Sequence, residues 1–92
     1  MITIQLKKPF TLDGKVTKEL KLDLDKLTGK DMIAAEKEVR AKGDTTPSVS
    51  LSMLYHAALA ARLLGCPVDE LEALQGQDFA RVTMEVAGFL LG

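Results

Sequence analysis

The chain has 92 residues, 47% of them hydrophobic, and a net charge of −1. This length forms one domain with its own core and leaves no room for a second, cofactor-binding lobe. Because basic and acidic residues nearly balance, the chain lacks the positive field that attracts phosphate, and we expect no nucleic-acid partner. A single cysteine, Cys66, excludes an internal disulfide and a cysteine metal cage.

The sequence also predicts no export signal and no membrane segment. Its first four residues lack the basic start and apolar run of a signal peptide. The longest stretch without charge, residues 45–61, contains serines and a histidine and is shorter than the roughly 20 apolar residues of a spanning helix. We therefore expect a cytoplasmic, reducing setting.

Residues 1–26 predict an antiparallel two-stranded β-hairpin. Apolar and polar side chains alternate on both sides of Asp13-Gly14, a pair that favours tight turns, and the apolar positions are Ile2, Ile4, Leu6, Leu20, Leu22 and Leu24. Pro9 cannot donate a ladder hydrogen bond, so we expect the first strand to be an edge or to break there. Because a two-stranded sheet alone is marginal in water, its apolar face is expected to pack on helices in an α+β fold.

Residues 28–92 predict three to four helices, which complete a single domain over residues 1–92. The first helix starts at a cap formed by Thr28 and Asp31 and stops at Gly43. The second helix is predicted from about Ser48 to Leu64. The third has Pro67 at its first position, continues through Leu74 and stops at Gly76. The last starts near Gln77 or Asp78.

Charge is concentrated in the first half of the chain. Residues 1–44 carry 18 of the 25 charged side chains, and residues 45–92 carry seven and no lysine. A small domain buries only about 60% of the surface of its unfolded chain. We therefore expect the apolar second half to exceed what one copy can bury, which indicates self-association or a protein partner.

The last helix is the predicted site of that contact. Its apolar residues form two faces, one of which includes Met84 and Leu91, and only a strip around Arg81, Glu85 and Gly88 is left for water. The other face is our predicted partner-binding surface and consists of Phe79, Val82, Val86, Phe89 and Leu90. The alternative interpretation is a core helix that covers the leucines of the hairpin.

No group of residues predicts catalysis or a metal site. Ser48, Ser52 and His56 fall four residues apart on the predicted second helix, but a serine nucleophile also needs an orienting acid and an oxyanion hole. We interpret them as a polar stripe and Cys66 as a packed residue at a helix junction. With one histidine and one cysteine, we expect no metal, no cofactor and no enzymatic activity.

Three short motifs resemble those of a known family. They are Ile4-Gln5-Leu6-Lys7-Lys8-Pro9-Phe10 followed by Asp13-Gly14-Lys15, then Leu27-Thr28-Gly29-Lys30-Asp31, and finally Val86-Ala87-Gly88-Phe89-Leu90. With their order along the chain, they are similar to the small tail assembly chaperones of contractile-tailed phages and their prophages. Residues 36–46 depart most from the family pattern.

The resemblance implies a non-enzymatic protein that binds the long tape measure protein in the cytoplasm of the bacterial host and keeps its apolar helix soluble during tail assembly. It further implies that several copies coat the tape measure protein until tail tube subunits replace them, and that a longer frameshifted form contacts the tail tube protein. A homo-oligomer is therefore expected. The alternative is a homo-oligomeric structural subunit of a phage or prophage particle, with a permanent symmetric contact.

Overall fold

The computed structural model describes residues 1–92 and confirms an α+β fold in which an antiparallel hairpin packs on four helices. The elements are β1 (Ile2–Leu12), β2 (Lys15–Leu22), α1 (Gly29–Ala41), α2 (Met53–Leu64), α3 (Val68–Leu71) and α4 (Gly76–Leu91). The core is a cluster of 18 buried apolar side chains to which both strands and all four helices contribute.

The hairpin contains a large irregularity next to Pro9, as the sequence predicts. Ile4 pairs with Leu20 and both are buried, but the regular pairing stops at Gln5 and Glu19 and resumes only at Phe10 and Thr17. Residues 6–9 of β1 therefore lie opposite Lys18 alone. Such a bulge frees backbone groups of β1 from the ladder.

The predicted end of the second strand is wrong by two residues. Leu24 lies in a 3-10 turn, Leu24–Lys26, instead of in β2. Its side chain is nevertheless buried, because the turn places it under the end of the sheet. Helix α1 then starts as predicted: the Asp31 amide donates to Thr28 Oγ1 at 3.3 Å, and the Thr28 amide donates to Asp31 Oδ2 at 3.0 Å.

The predicted start of the second helix is also wrong. Helix α2 begins at Met53, and Val49–Leu51 form a separate 3-10 turn. The Ser52 hydroxyl fixes this start because it accepts a hydrogen bond from the Tyr55 amide at 3.2 Å and donates one to the Asp44 carboxylate. Ser48 and Ser52 therefore do not share a helix, and the predicted polar stripe does not exist.

Helix α2 is surrounded by the rest of the chain. Every residue from Tyr55 to Ala61 is buried, because α2 contacts α1, α3, α4 and β2. Alanines at four of these positions allow the neighbouring elements to approach closely. The side chains from Tyr55 to Ala61 thus need no second copy to cover them, whereas the expected excess of apolar surface in the second half of the chain remains at other positions, among them Met53.

The boundary between the third and fourth helices differs from the prediction. Pro67 is the N-cap of α3 and not its first residue, and α3 ends at Leu71. Gly76 is the first residue of α4 instead of a stop. The Gln75 side chain explains this, since its Oε1 accepts hydrogen bonds from the amides of Gln77 and Asp78 at 3.0 and 3.1 Å and so caps α4.

Candidate partner-binding surface

The first turn of α4 is fixed to the bulge of β1. The Asp78 carboxylate accepts hydrogen bonds from the Lys7 amide, at 2.9 and 3.0 Å to its two oxygens, and from the Lys8 amide at 3.3 Å. Its side chain is 0% exposed. One turn further along, the Arg81 guanidinium donates to the backbone oxygen of Gln5 at 3.0 Å. Three backbone groups at the bulge, the amides of Lys7 and Lys8 and the oxygen of Gln5, are thereby bonded to α4.

All five predicted partner-binding residues lie on one side of α4. Val82, Val86 and Leu90 follow Asp78 at intervals of four residues, and Phe79 and Phe89 flank that row. Residues four apart on a helix lie one above the other. Because Asp78 faces β1, this side of α4 is the one that faces the interior of the protein.

The five residues differ in how far a partner can reach them. Val82 and Val86 are 0% exposed and belong to the core, whereas Phe79 and Leu90 are half-buried at its margin. Phe89 is 45% exposed. In this conformation, therefore, only the carboxyl-terminal end of the predicted surface is available, and contact through Val82 and Val86 stays a prediction that requires a rearrangement.

The opposite side of α4 is more exposed than predicted. Met84 and Leu91 are 70% and 67% exposed, so the side of α4 in contact with water is wider than the predicted strip around Arg81, Glu85 and Gly88. The helical period identifies both apolar faces but not which of them packs inside. The structure assigns the interior to the face with Val82 and Val86.

Two further exposed apolar residues lie at the start of α2, and one of them, Leu51, is predicted from the sequence to lie at helical spacing with Leu54 and Tyr55 on the second helix. Leu51 and Met53 are 70% and 55% exposed. They lie on either side of Ser52, whose hydroxyl is committed to the cap of α2. Because the Ser52 cap starts α2 at Met53, Leu51 lies before the helix and not on its buried face.

The segment before α2 is a structural polar network and not a catalytic one. The Asp44 carboxylate accepts hydrogen bonds from the Ser52 hydroxyl and from the Thr46 amide. These hydrogen bonds lower the pKa of Asp44 to about 2. His56 Nε2 lies 2.8 Å from the backbone oxygen of Ser50. Ser52 and His56 are thus each bonded elsewhere and do not act on one another.

Cys66 is half-buried between α2 and α3. Burial raises the pKa of its thiol, and the carboxylates of Glu70 and Asp13 raise it further. A raised pKa leaves little of the reactive thiolate at neutral pH. The packing role predicted from the sequence therefore agrees with the surroundings of this side chain.

A shallow cleft lies between α1 and α2. Its floor is formed by Ala58 and Ala61, and Asp31 and Arg62 lie in its wall. These two charged groups are bonded to each other, with 3.0 Å between Arg62 Nη2 and Asp31 Oδ1. Glu38 is the one other charged side chain that lines the cleft, and a single carboxylate does not provide the several convergent polar groups of a small-molecule site.

Two further features can be read directly from the structure. No group of three or more histidine, cysteine, aspartate or glutamate side chains is arranged to hold a metal ion. None of the four helices combines the length and the apolar character that spanning a bilayer requires.

One comparison with known proteins gives a match. Residues 3–91 match a family model described as "Phage tail assembly chaperone proteins, E, or 41 or 14". The match includes all four helices, β2 and all of β1 except Ile2. No curated protein and no solved structure matches the chain.

Proposed function

Because the chain belongs to the phage tail assembly chaperone family, we propose that it binds the tape measure protein and keeps the apolar helix of that protein soluble during tail assembly. Membership implies a role in building the tail together with other tail proteins. It also favours a non-enzymatic role, with which the separate bonding of Ser52 and His56 agrees. The identity of the partner and the solubilising action are the proposed parts.

The observation that carries the proposal is the surface at the end of α4. Phe89 is 45% exposed and Leu90 lies beside it at the margin of the core, on the same side of the helix as Val82 and Val86. A long helix with an apolar stripe can lay that stripe along such a surface, as in other helix-in-groove contacts. In this conformation one copy offers only the end of α4 to a partner, and we expect the affinity of each copy to be modest.

Modest affinity suits a chaperone that must dissociate from the tape measure protein when the tail tube assembles. Several copies along one tape measure protein gain strength from their number, and each can still be displaced by a tail tube subunit. We propose that the protein self-associates in this arrangement, acts in the cytoplasm of the bacterial host, and contacts the tail tube protein through a longer frameshifted form. It needs no metal or cofactor for this function.

Co-expression tests the proposal. The tape measure protein of the same phage should precipitate when it is expressed alone and should stay soluble and copurify when this chain is present. The double variant F89D/L90D should lose both effects while its circular dichroism spectrum stays folded. Met84→Asp is the matched control, because it adds a charge on the opposite, exposed side of α4 and should leave both effects intact.

The alternative of a permanent structural subunit makes a different prediction. Its copies would stay assembled on dilution and would not change on addition of a tape measure fragment, whereas copies of a chaperone dissociate or redistribute. Mass measurement over a range of concentrations, with and without the fragment, distinguishes them. Assembly that persists at the lowest concentration, without tape measure binding, would show that the chaperone proposal is wrong.

A further inference from the structure

The hairpin packs on two helices, α2 and α4. Strand β1 contacts α4, and β2 contacts α2. The hairpin buries Ile4, Phe10, Leu20 and Leu22 in this contact, each 7% exposed or less. The surface beneath it is formed by α2 and α4, which also contact each other. We refer to this surface as the α2–α4 groove.

The row of residues that begins with Asp78 runs along this groove. Asp78 touches β1, and Val82 and Val86 follow it at intervals of four on the same side of α4. Leu90 continues the row to the exposed end of the helix. The buried and the accessible parts of the predicted partner-binding surface are therefore one continuous apolar strip, which the hairpin contacts at its first residue, Asp78.

The polar contacts between the hairpin and the helices all have the same form. Side chains of α3 and α4 bind backbone groups of the hairpin: Asp78 accepts from Lys7 and Lys8, Arg81 donates to Gln5, and Glu70 Oε1 accepts from the Asp13 amide at 2.6 Å. Asp78 is the only one of the three that is fully buried, and it makes the most bonds. Loss of this one carboxylate would remove most of the polar attachment.

The helices, by contrast, are joined to one another by ion pairs. Asp31 of α1 pairs with Arg62 of α2 at 3.0 Å, and Lys42 after α1 pairs with Asp69 of α3 at 2.8 Å. No ion pair connects the hairpin to a helix. Within residues 1–92, only the segment 23–28 connects the hairpin to α1. The hairpin is thus the unit that can separate while α1, α2 and α3 stay together.

We propose that the hairpin is a lid on the α2–α4 groove, closed by the contact of Asp78 with the Lys7 and Lys8 amides, and that it opens to admit an apolar helix of the partner. This inference rests on the proposed function, because it describes how the same helical partner is bound. It explains why Val82 and Val86 share one strip with Phe89 and Leu90 although they are buried. In the open state the whole strip is available.

The lid lowers the affinity of each copy by a defined factor. If the open state is a minor fraction of the molecules, the apparent dissociation constant is the intrinsic one divided by that fraction. A change that weakens the closed state alone must therefore tighten binding. A substitution or crosslink that prevents opening must weaken binding.

Hydrogen exchange tests the lid without any partner. A two-stranded hairpin that has left the helices is only marginally stable in water. In the wild-type protein, the amides of Ile4 and Leu20 should therefore exchange through an opening that leaves Leu59 and Ala60 of α2 protected. Asp78→Asn keeps the size of the side chain but provides only one accepting oxygen, and it should accelerate exchange in the hairpin alone. Glu85→Gln, the same charge change on the exposed side of α4, is the control. Equal protection of hairpin and α2 would overturn the lid.

Binding tests its role. The probe is a synthetic peptide from an apolar helical stretch of the tape measure protein of the same phage, labelled for fluorescence anisotropy. D78N should bind it about tenfold more tightly than E85Q, because charge-assisted hydrogen bonds that hold the closed state are lost. Unchanged or weaker binding by a folded D78N protein would overturn the proposal.

A crosslinked variant is the second test and does not depend on the stability of D78N. Gln5→Cys and Arg81→Cys, both at exposed positions of β1 and α4, are introduced with Cys66→Ala and joined by a short bismaleimide. Binding should fall at least tenfold on crosslinking, relative to the same protein before the reagent is added. Equal binding would place the partner on the outer surface and overturn the lid. If no variant binds the peptide but the hairpin exchanges separately, the proposed function fails and the opening motion stands.

Discussion

Asp31 and Arg62 join the first turn of α1 to the last turn of α2. The guanidinium of Arg62 donates two hydrogen bonds to Asp31 Oδ1, at 3.2 and 3.0 Å, while the same carboxylate completes the cap of α1. The Thr28 amide, followed by Arg62, holds the pKa of Asp31 below its ordinary value of 3.8. One carboxylate therefore fixes both where α1 starts and how it lies against α2.

Stability should depend on pH through Asp31 and Asp44. Hydrogen bonds from Ser52 and Thr46 lower the pKa of Asp44 from 3.8 to about 2. A carboxylate whose pKa is lower in the folded than in the unfolded protein stabilises the fold at any pH above its unfolded-state pKa. This stabilisation is lost as the pH falls through the folded-state pKa. We expect the urea midpoint to fall between pH 4 and pH 2. Asp44→Asn should lower the midpoint at pH 7 and flatten this slope.

The control for this prediction is Asp25→Asn, since the Asp25 side chain is exposed and makes neither a hydrogen bond nor an ion pair. It should reproduce the wild-type slope. An equally steep acid transition in the Asp44 variant would show that its bonds to Ser52 and Thr46 do not contribute to stability.

Leu59 is expected to be the most sensitive single position of the core. It is 0% exposed at the centre of α2, and truncation to alanine would leave a cavity. Leu59→Ala should lower the free energy of unfolding by about 2–5 kcal/mol. Leu51→Ala, at a position 70% exposed, should change it by less than about 0.5 kcal/mol. Urea unfolding followed by circular dichroism measures both, and similar losses would contradict the burial seen for Leu59.

Two glycines with equal space around them should respond in opposite directions. A side-chain carbon built on Gly65 or Gly88 meets nothing within 4 Å. Gly65 ends α2 with φ +73°, where alanine is strained, so Gly65→Ala should destabilise the protein by about 1 kcal/mol. Gly88 is inside α4, where alanine has the higher helix propensity, and Gly88→Ala should stabilise it by up to about 1 kcal/mol.

Thermal unfolding measures this pair. The sign of the difference is the decisive result, because the two substitutions add the same methyl group to equally open space. A loss of stability in both variants would mean that the end of α4 is not helical in solution.

Aspartate substitutions should separate the buried from the accessible part of the predicted partner-binding surface. Val86→Asp places a charge where no partner is available, which costs several kcal/mol, and should abolish cooperative unfolding. Phe89→Asp should shift the melting temperature by only a few degrees, because Phe89 is already 45% exposed. Circular dichroism melts of the two variants check this. A folded Val86 variant would show that α4 packs less tightly than the structure indicates.

The local elements of the fold follow from the sequence. The alternation of Ile2, Ile4 and Leu6 predicts the first strand, and Thr28 with Asp31 predicts the start of α1, because each signal lies within a few residues of the structure it produces. The start of α2 was misplaced because it depends on Asp44, eight residues before the cap. A hydrogen bond between residues on either side of a loop, such as that of Ser52 with Asp44, does not produce a periodic pattern of apolar residues in the sequence.

The candidate site was predictable in part for the same reason. The spacing of Phe79, Val82 and Val86 places them on one side of a helix, and the structure agrees. That this side faces the interior follows from two contacts between distant segments, the packing of α4 on α2 and the hydrogen bonds of Asp78 to β1. Asp78 itself appeared in the sequence only as an acidic residue near a helix start, and its burial could not be inferred from that position.

Tyr55 is the only tyrosine of the chain, which contains no tryptophan, and it is 4% exposed on α2. The ultraviolet emission of the protein therefore comes from a single site on its central helix. At the long-wavelength edge of the aromatic absorption band only indole absorbs. Emission excited there would come only from a tail protein that contains tryptophan. A tryptophan-containing tail protein could thus be followed in a mixture with this chain without any attached dye.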